Sequence, residues 1–249
     1  MEVIDIVTYN NESWLLDLRI KILEDVVDWF YVIEATQTHQ GASKPCLRDT
    51  QEFSHPKLRV VTINFPDSLD NWGRERSQRA HKIDLSEHNE NALVLTGDLD
   101  EIPDPKAISW LQDNYEKGQI YQFGQRLFQY YLNNENLTEQ WYGTRACDVD
   151  SYYYYNGERL RWTDGLRLEK AGWHFSFLGG VEVLKKKITE YAHAEFNNEQ
   201  TLSSIEERMA RNQDIFERGI ELKTVKIDNS FPDYVVNNQD ALKDWIKNV

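Results

Sequence analysis

The chain has 249 residues, 40% of them hydrophobic and 12% aromatic. That is enough apolar material for a substantial core and excludes a disordered chain. The formal net charge of −14 speaks against nonspecific binding to nucleic-acid phosphates, and makes local carboxylate clusters the natural place for a divalent cation.

Val3 to Val7 reads as a short buried strand that ends in Thr8-Tyr9-Asn10. From Ser13 to Val27 the apolar residues Trp14, Leu15, Leu18, Ile22, Leu23 and Val26 recur at helical spacing. Trp29 to Ile33 predicts a second buried strand closed by Glu34, and Leu58 to Ile63 a third. Arg74 to Ile83 predicts a polar helix, Ala92 to Leu95 a fourth strand, and Pro105 to Tyr115 a helix begun by a proline where proline is tolerated. The second half is richer in aromatics, as in Gln129-Tyr130-Tyr131 and Tyr152-Tyr153-Tyr154-Tyr155. It reads as short mixed or antiparallel strands and long loops, with a late helix over Ser203 to Arg218. Strands alternating with helices predict an α/β fold with a mostly parallel central sheet and helices on both faces. No repeat or linker divides the chain, so one domain is expected, with residues 1–105 forming a nucleotide-type half and 106–249 an acceptor-type half.

No apolar run approaches the roughly 20 residues that cross a bilayer. Met1 is followed by Glu2-Val3-Ile4-Asp5-Ile6-Val7, without a basic and then apolar leader. The expected location is therefore cytoplasmic, at most peripheral to a membrane. Cys46 and Cys147 are the only cysteines and are expected as free thiols in a reducing compartment.

The most informative stretch is Leu93-Val94-Leu95-Thr96-Gly97-Asp98-Leu99-Asp100-Glu101-Ile102-Pro103-Asp104-Pro105. Ligands in open α/β sheets bind at the carboxyl ends of strands, which is where Asp98 and Asp100 fall. Two residues apart, they point the same way in an extended segment and suit a hard cation, Mg²⁺ or Mn²⁺, that bridges to a diphosphate. A turn whose carboxylates cap helix donors explains the same spacing equally well.

Four segments tilt the balance: residues 9–45 (YNNESWLLDLRIKILEDVVDWFYVIEATQTHQGASKP), 71–79 (NWGRERSQR), 97–105 (GDLDEIPDP) and 171–180 (AGWHFSFLGG). In this order they resemble glycosyltransferase family 17, over a span from near the amino terminus to about residue 197. The resemblance implies a GT-A (Rossmann-like) glycosyltransferase fold and an inverting transfer from a UDP-sugar to a glycan hydroxyl. Mn²⁺ or Mg²⁺ is the implied cofactor, and N-acetylglucosamine is among the implied sugars. Asp98, Asp100 and His174 would hold the metal, with His193 the rival histidine. Thr8, Tyr9, Asn10, Glu34, Lys44, Arg76, Arg79 and Asp98 would bind the donor. Glu195, then Asp164, then Glu101 are the candidate bases. Trp173 is the first choice among aromatic rings for the acceptor, with Tyr131 beside it. A growing bacterial or viral glycan, a lipid-linked one included, is the expected acceptor.

Two other classes compete. A metal-dependent phosphohydrolase or nucleotidyltransferase would need a Gly-rich phosphate loop or a second acidic cluster, and the sequence has neither. A non-catalytic nucleotide-sugar-binding protein would differ in lacking turnover.

Overall fold

The computed structural model describes residues 1–50 and 53–248. Its first half is a parallel sheet of β1 (Val3–Tyr9), β2 (Trp29–Ala35), β3 (Leu58–Ile63) and β4 (Leu93–Asp98), in spatial order β3-β2-β1-β4. The strands were legible because they are short apolar runs, as parallel strands covered on both faces must be. Helix α1 (Ser13–Leu23) connects β1 to β2, and α3 (Asn71–Ala80) connects β3 to β4. A single turn, α2 (Leu47–Thr50), lies between β2 and β3.

The sheet continues through the second half. The strands there are β5 (Glu101–Pro103), β6 (Tyr121–Gln129), β7 (Asn134–Asn136), β8 (Trp141–Asp148), β9 (Leu166–Ser176) and β10 (Leu222–Thr224). β8 joins β4 antiparallel and β6 joins β8 antiparallel. β9 runs parallel to β6 and antiparallel to β5. One mixed sheet of ten strands results among the described residues. Its helices are α4 (Pro105–Asn114), α5 (Val149–Trp162), α6 (Gly180–Glu190), α7 (Glu199–Ala210) and α8 (Asp233–Asn237).

Alternation along the parallel strands divides the core. Val3, Val7, Phe30, Val32, Leu93 and Leu95 pack against Leu15 and Leu16 of α1, Ile108 and Leu111 of α4, and Val235 of α8. Ile4, Ile6, Ile33 and Val94 face the other way, onto Tyr152 and Leu160 of α5. A third cluster joins α6 and α7 through Leu184, Ile188, Ile205 and Met209 around Tyr130. Each such side chain, buried from water, contributes about 1.5–3 kcal/mol. No helix among the described residues is long and apolar enough to cross a membrane.

Several element boundaries differ from the sequence expectation. α1 stops at Leu23, short of Val27, where the backbone turns and Val26 and Val27 both donate to the Leu23 carbonyl. α3 begins three residues early because the Asp70 side chain accepts from the Gly73 amide and caps it. The late helix is Glu199–Ala210, not Ser203–Arg218. Asn198 caps it through the Thr201 amide, and Asn212, at φ 55°, ends the right-handed path. The tyrosine run 152–155 lies on α5 rather than on a strand. α6, with its three consecutive lysines, has no counterpart in the sequence reading.

Candidate active site

The carboxyl ends of β1 and β4 lie side by side, with Thr8 opposite Asp98 in register. They open onto a cleft of about 250 Å³ lined by residues that include Thr8, Tyr9, Asn10, Glu12, Asp98 and Asp100. Thr8 Oγ1 donates to Asp98 Oδ1 at 3.2 Å. Arg79, on α3, grips the same carboxylate with Nε on Oδ1 and Nη2 on Oδ2, both at 2.9 Å. Arg161, near the end of α5, stands 3.3 Å from Asp98 Oδ2. Burial alone would push the Asp98 carboxyl up, but Arg161 and Arg79 outweigh it and hold Asp98 well below the usual carboxylate range.

Beneath Asp98, the Glu101 carboxylate is fully buried and saturated. It accepts from the Asp98 amide at 2.9 Å, from Trp141 Nε1 at 2.9 Å, and from Arg161 Nη1 and Nη2 at 3.1 and 3.0 Å. Gly143 is required here, because a Cβ at that position would lie 2.2 Å from the Glu101 carboxyl carbon. Glu101 therefore shapes the acidic loop and has no lone pair left for a substrate proton.

Asp100 points to a second set of partners. β5 pairs antiparallel with β9, placing His174 opposite Glu101 and bringing its Nε2 to 3.4 Å from Asp100 Oδ1. Lys187 of α6 donates to Asp100 Oδ2 at 3.1 Å and to Glu12 Oε1 at 3.0 Å. Burial opposes ionisation of Asp100, yet Lys187 and His174 hold it well below the usual range. Glu12 is raised, by burial first, with the Asp100 charge adding to it against Lys187. The His174 ring lies 4.6 Å from that of Trp141, centroid to centroid, and its buried Nδ1 has no hydrogen-bond partner.

As these side chains stand, no group of three or more His, Cys, Asp or Glu among the described residues is placed to hold a metal ion. Both Asp98 oxygens are occupied by guanidinium groups. Around Lys187 the donor chemistry is different. Two carboxylates, Asp100 and Glu12, meet on its ammonium, with the His174 imidazole next to Asp100. Oxygen donors with one imidazole suit a divalent cation of the Mg²⁺ or Mn²⁺ type, so the residue types fit once the ammonium moves away.

The predicted site residues divide cleanly. Thr8, Tyr9, Asn10, Arg79, Asp98, Asp100 and His174 all line the cleft, as does His193. Glu195 does not line it, but Glu195 Oε1 lies 2.6 Å from Nδ1 of His193, which does. Asp164 is exposed between α5 and β9 and lies outside the lining. Arg76 is exposed and outside it too: one helix face holds Arg76 and Arg79, but only Arg79 reaches inward. Glu34 is fully buried, accepting from the Leu47 amide at 2.8 Å and the Thr62 hydroxyl at 3.0 Å, so it ties strands and a loop together instead of facing a ligand. Lys44 is buried with its Nζ unbonded among the described residues, 5.7 Å from the centroid of the Tyr9 ring and outside the cleft. Trp173 faces away from the cleft because β9 alternates: His174 points in, and Trp173 packs in the core with Nε1 bonded to the Ser230 carbonyl. Tyr131 packs beside the third cluster, under the Lys247 ammonium.

Sequence reasoning missed Arg161, Lys187 and Glu12. Lys187 sits in a triple-lysine run that reads as a solvated face. The only available signal was helical spacing, since Leu184 and Ile188 flank it on the buried side of α6.

Curated relatives include human and rat β-1,4-mannosyl-glycoprotein 4-β-N-acetylglucosaminyltransferase. Each is 24% identical over 233 residues, covering 78% of this chain and 44% and 43% of the relative. The chain thus spans less than half the length of the curated relatives it matches. Among solved structures, S. aureus TarS 1–349 is similar at a TM-score of 0.43 and 11% identity, covering 76% of this chain and 65% of that one. The model of glycosyltransferase family 17 matches residues 1–231, and the chain belongs to that family.

Proposed function

We propose that the protein transfers a sugar, N-acetylglucosamine or a close analogue, from a UDP-sugar to a glycan hydroxyl with inversion, assisted by a divalent cation. The observation that carries this reading is the placement of Asp98 and Asp100 at the carboxyl end of β4, beside that of β1, in one cleft with Arg79, Arg161 and Lys187. A diphosphate needs cationic groups around it, and a ribose needs hydroxyl and carboxylate partners. The cleft offers both. Thr8, Tyr9 and Asn10 line the side where the nucleoside would lie. Asp100, His174 and Glu12 are the residues that would hold the cation. When bound, that cation supplies Lewis-acid stabilisation of the departing diphosphate.

An inverting transfer also needs a base within reach of the acceptor hydroxyl. We assign His193, with Glu195 as the residue that orients it. The carboxylate on Nδ1 leaves Nε2 as the proton-accepting nitrogen. Trp72 stands edge-on to the imidazole at 4.4 Å between ring centroids and offers an exposed ring on which a sugar face could stack.

The test is calorimetric titration of UDP with and without Mn²⁺, with GDP as control, on the wild type and on Asp100→Ala. UDP binding that requires Mn²⁺ and disappears in D100A is expected. Unchanged binding in D100A would overturn the metal assignment. Screening UDP-sugars for turnover then separates the enzyme from a nucleotide-sugar-binding protein.

A further inference from the structure

We infer that Lys187 is a tethered cation that fills the divalent-cation position of the empty enzyme and must vacate it when the metal loads. The inference rests on the metal-assisted reading above and adds a residue to it.

The ammonium is held by two carboxylates from distant parts of the chain. Glu12 lies in the turn after β1 and Asp100 in the loop after β4, at 3.0 and 3.1 Å from Nζ. Both carboxylates are among the three groups whose chemistry suits the metal, and the third, His174, already contacts Asp100. One positive charge therefore neutralises a site that would otherwise place two carboxylates together in partial burial, where like charges raise each other's cost of ionising. A divalent cation and the ammonium cannot share those oxygens, because they would repel at close range in a poorly screened cleft.

The chain also provides a way out for the ammonium. Lys187 lines the cleft itself, so its flexible stem can swing into open space without unfolding α6. α6 opens at Gly180, with Gly179 as its N-cap, at φ 84° and 123°, and a Cβ on Gly180 would meet nothing within 4 Å. The start of the helix, where the chain arrives from β9, therefore carries a pair of residues with wide backbone freedom. Once displaced, the ammonium remains in the cleft, where it can pair with a phosphate oxygen of the donor. Metal entry and diphosphate binding are thereby linked. Metal alone must break two ion pairs, whereas metal arriving with a diphosphate gives the lysine a new anionic partner.

The experiment is Mn²⁺ titration without nucleotide, followed by water-proton relaxation, on the wild type, Lys187→Met and Lys187→Arg. Removing the tethered cation removes the population penalty on the competent site. K187M is expected to bind Mn²⁺ about tenfold tighter than the wild type or better, while K187R, which keeps the charge, shows no such gain. Equal or weaker Mn²⁺ binding by K187M overturns the inference. A second measurement on the wild type does not depend on the variant folding: acylation of Lys187 relative to Lys185, read by mass spectrometry with and without saturating Mn²⁺. Faster labelling of Lys187 with Mn²⁺ is expected, and unchanged labelling while Mn²⁺ is bound overturns the inference. Titrating UDP in parallel distinguishes the two levels. A wild type whose UDP affinity ignores Mn²⁺ overturns the metal-assisted reading. Normal Mn²⁺-dependent UDP binding with no gain in K187M overturns only the role of Lys187.

Discussion

Arg19 and Asp5 form a fully buried two-pronged ion pair, with Nε on Oδ2 and Nη2 on Oδ1, each at 2.7 Å. The remaining nitrogen, Nη1, donates to the backbone carbonyls of Asp98, Leu99 and Glu101 at 3.3, 3.2 and 2.8 Å. A charge in the middle of a core strand is thus matched by a helix residue whose third arm fixes the acidic loop. Neither residue lines the cleft, yet the pair sets the loop that presents Asp98 and Asp100.

Removing one partner of such a pair leaves a buried charge. Arg19→Met should lower the free energy of unfolding by about 3–5 kcal/mol, measured by urea denaturation. UDP binding by the folded fraction should also weaken, because the loop loses its carbonyl anchor. A loss under about 1 kcal/mol, within the range of an exposed pair, would show that the pair is not the anchor.

Gly143→Ala tests the platform beneath Asp98. The new Cβ would overlap the Glu101 carboxyl group, which is pinned by Trp141, Arg161 and the Asp98 amide. Overpacking of this kind costs about 1–3 kcal/mol. Because Glu101 can yield only by breaking those bonds, UDP affinity should fall about tenfold or more, roughly 1.4 kcal/mol. Calorimetry that finds wild-type affinity would show that Glu101 moves without disturbing Asp98.

Arg79 and Arg76 share a helix but not an environment. Arg79→Gln removes the two-pronged guanidinium grip on Asp98 and should weaken UDP binding about tenfold or more. Arg76→Gln should leave it within about twofold, as expected of a surface change. Comparable losses in the two variants would place Arg76 at the donor after all.

Asp148 makes a pH prediction away from the cleft. It caps α5 by accepting from the Ser151 amide at 2.7 Å and also accepts from the Gly118 amide at 2.7 Å. Burial pushes its carboxyl up, but these amide hydrogen bonds outweigh it and the group is lowered. A lowered folded value means its stabilisation is present above the unfolded value of about 3.9 and is lost as pH falls below it. Asp148→Ala should cost about 0.5–2 kcal/mol at pH 7, and the gap to the wild type should narrow below about pH 4. A gap of constant size down to pH 3 would refute the linkage.

The sequence by itself determined the parallel half and the position of the acidic loop. Apolar runs such as Val3–Val7 and Leu93–Leu95 can be buried on both faces only as inner strands, and chain order then puts Thr8 and Asp98 at the same sheet edge. It also carried the family resemblance, whose segments bracket the observed cleft. What it could not determine was which charge meets which. Glu12 and Lys187 are separated by 175 residues, and Asp98 and Arg161 by 63, so no local spacing links them. Trp173 and His174 are adjacent, and only the pairing of β9 with β5 and β6 decides which of the two enters the cleft. Local patterns fix strands and helices because burial acts residue by residue along the chain. Ion pairs and strand registers form between distant segments, so the partners of the two aspartates were settled only when the sheet closed.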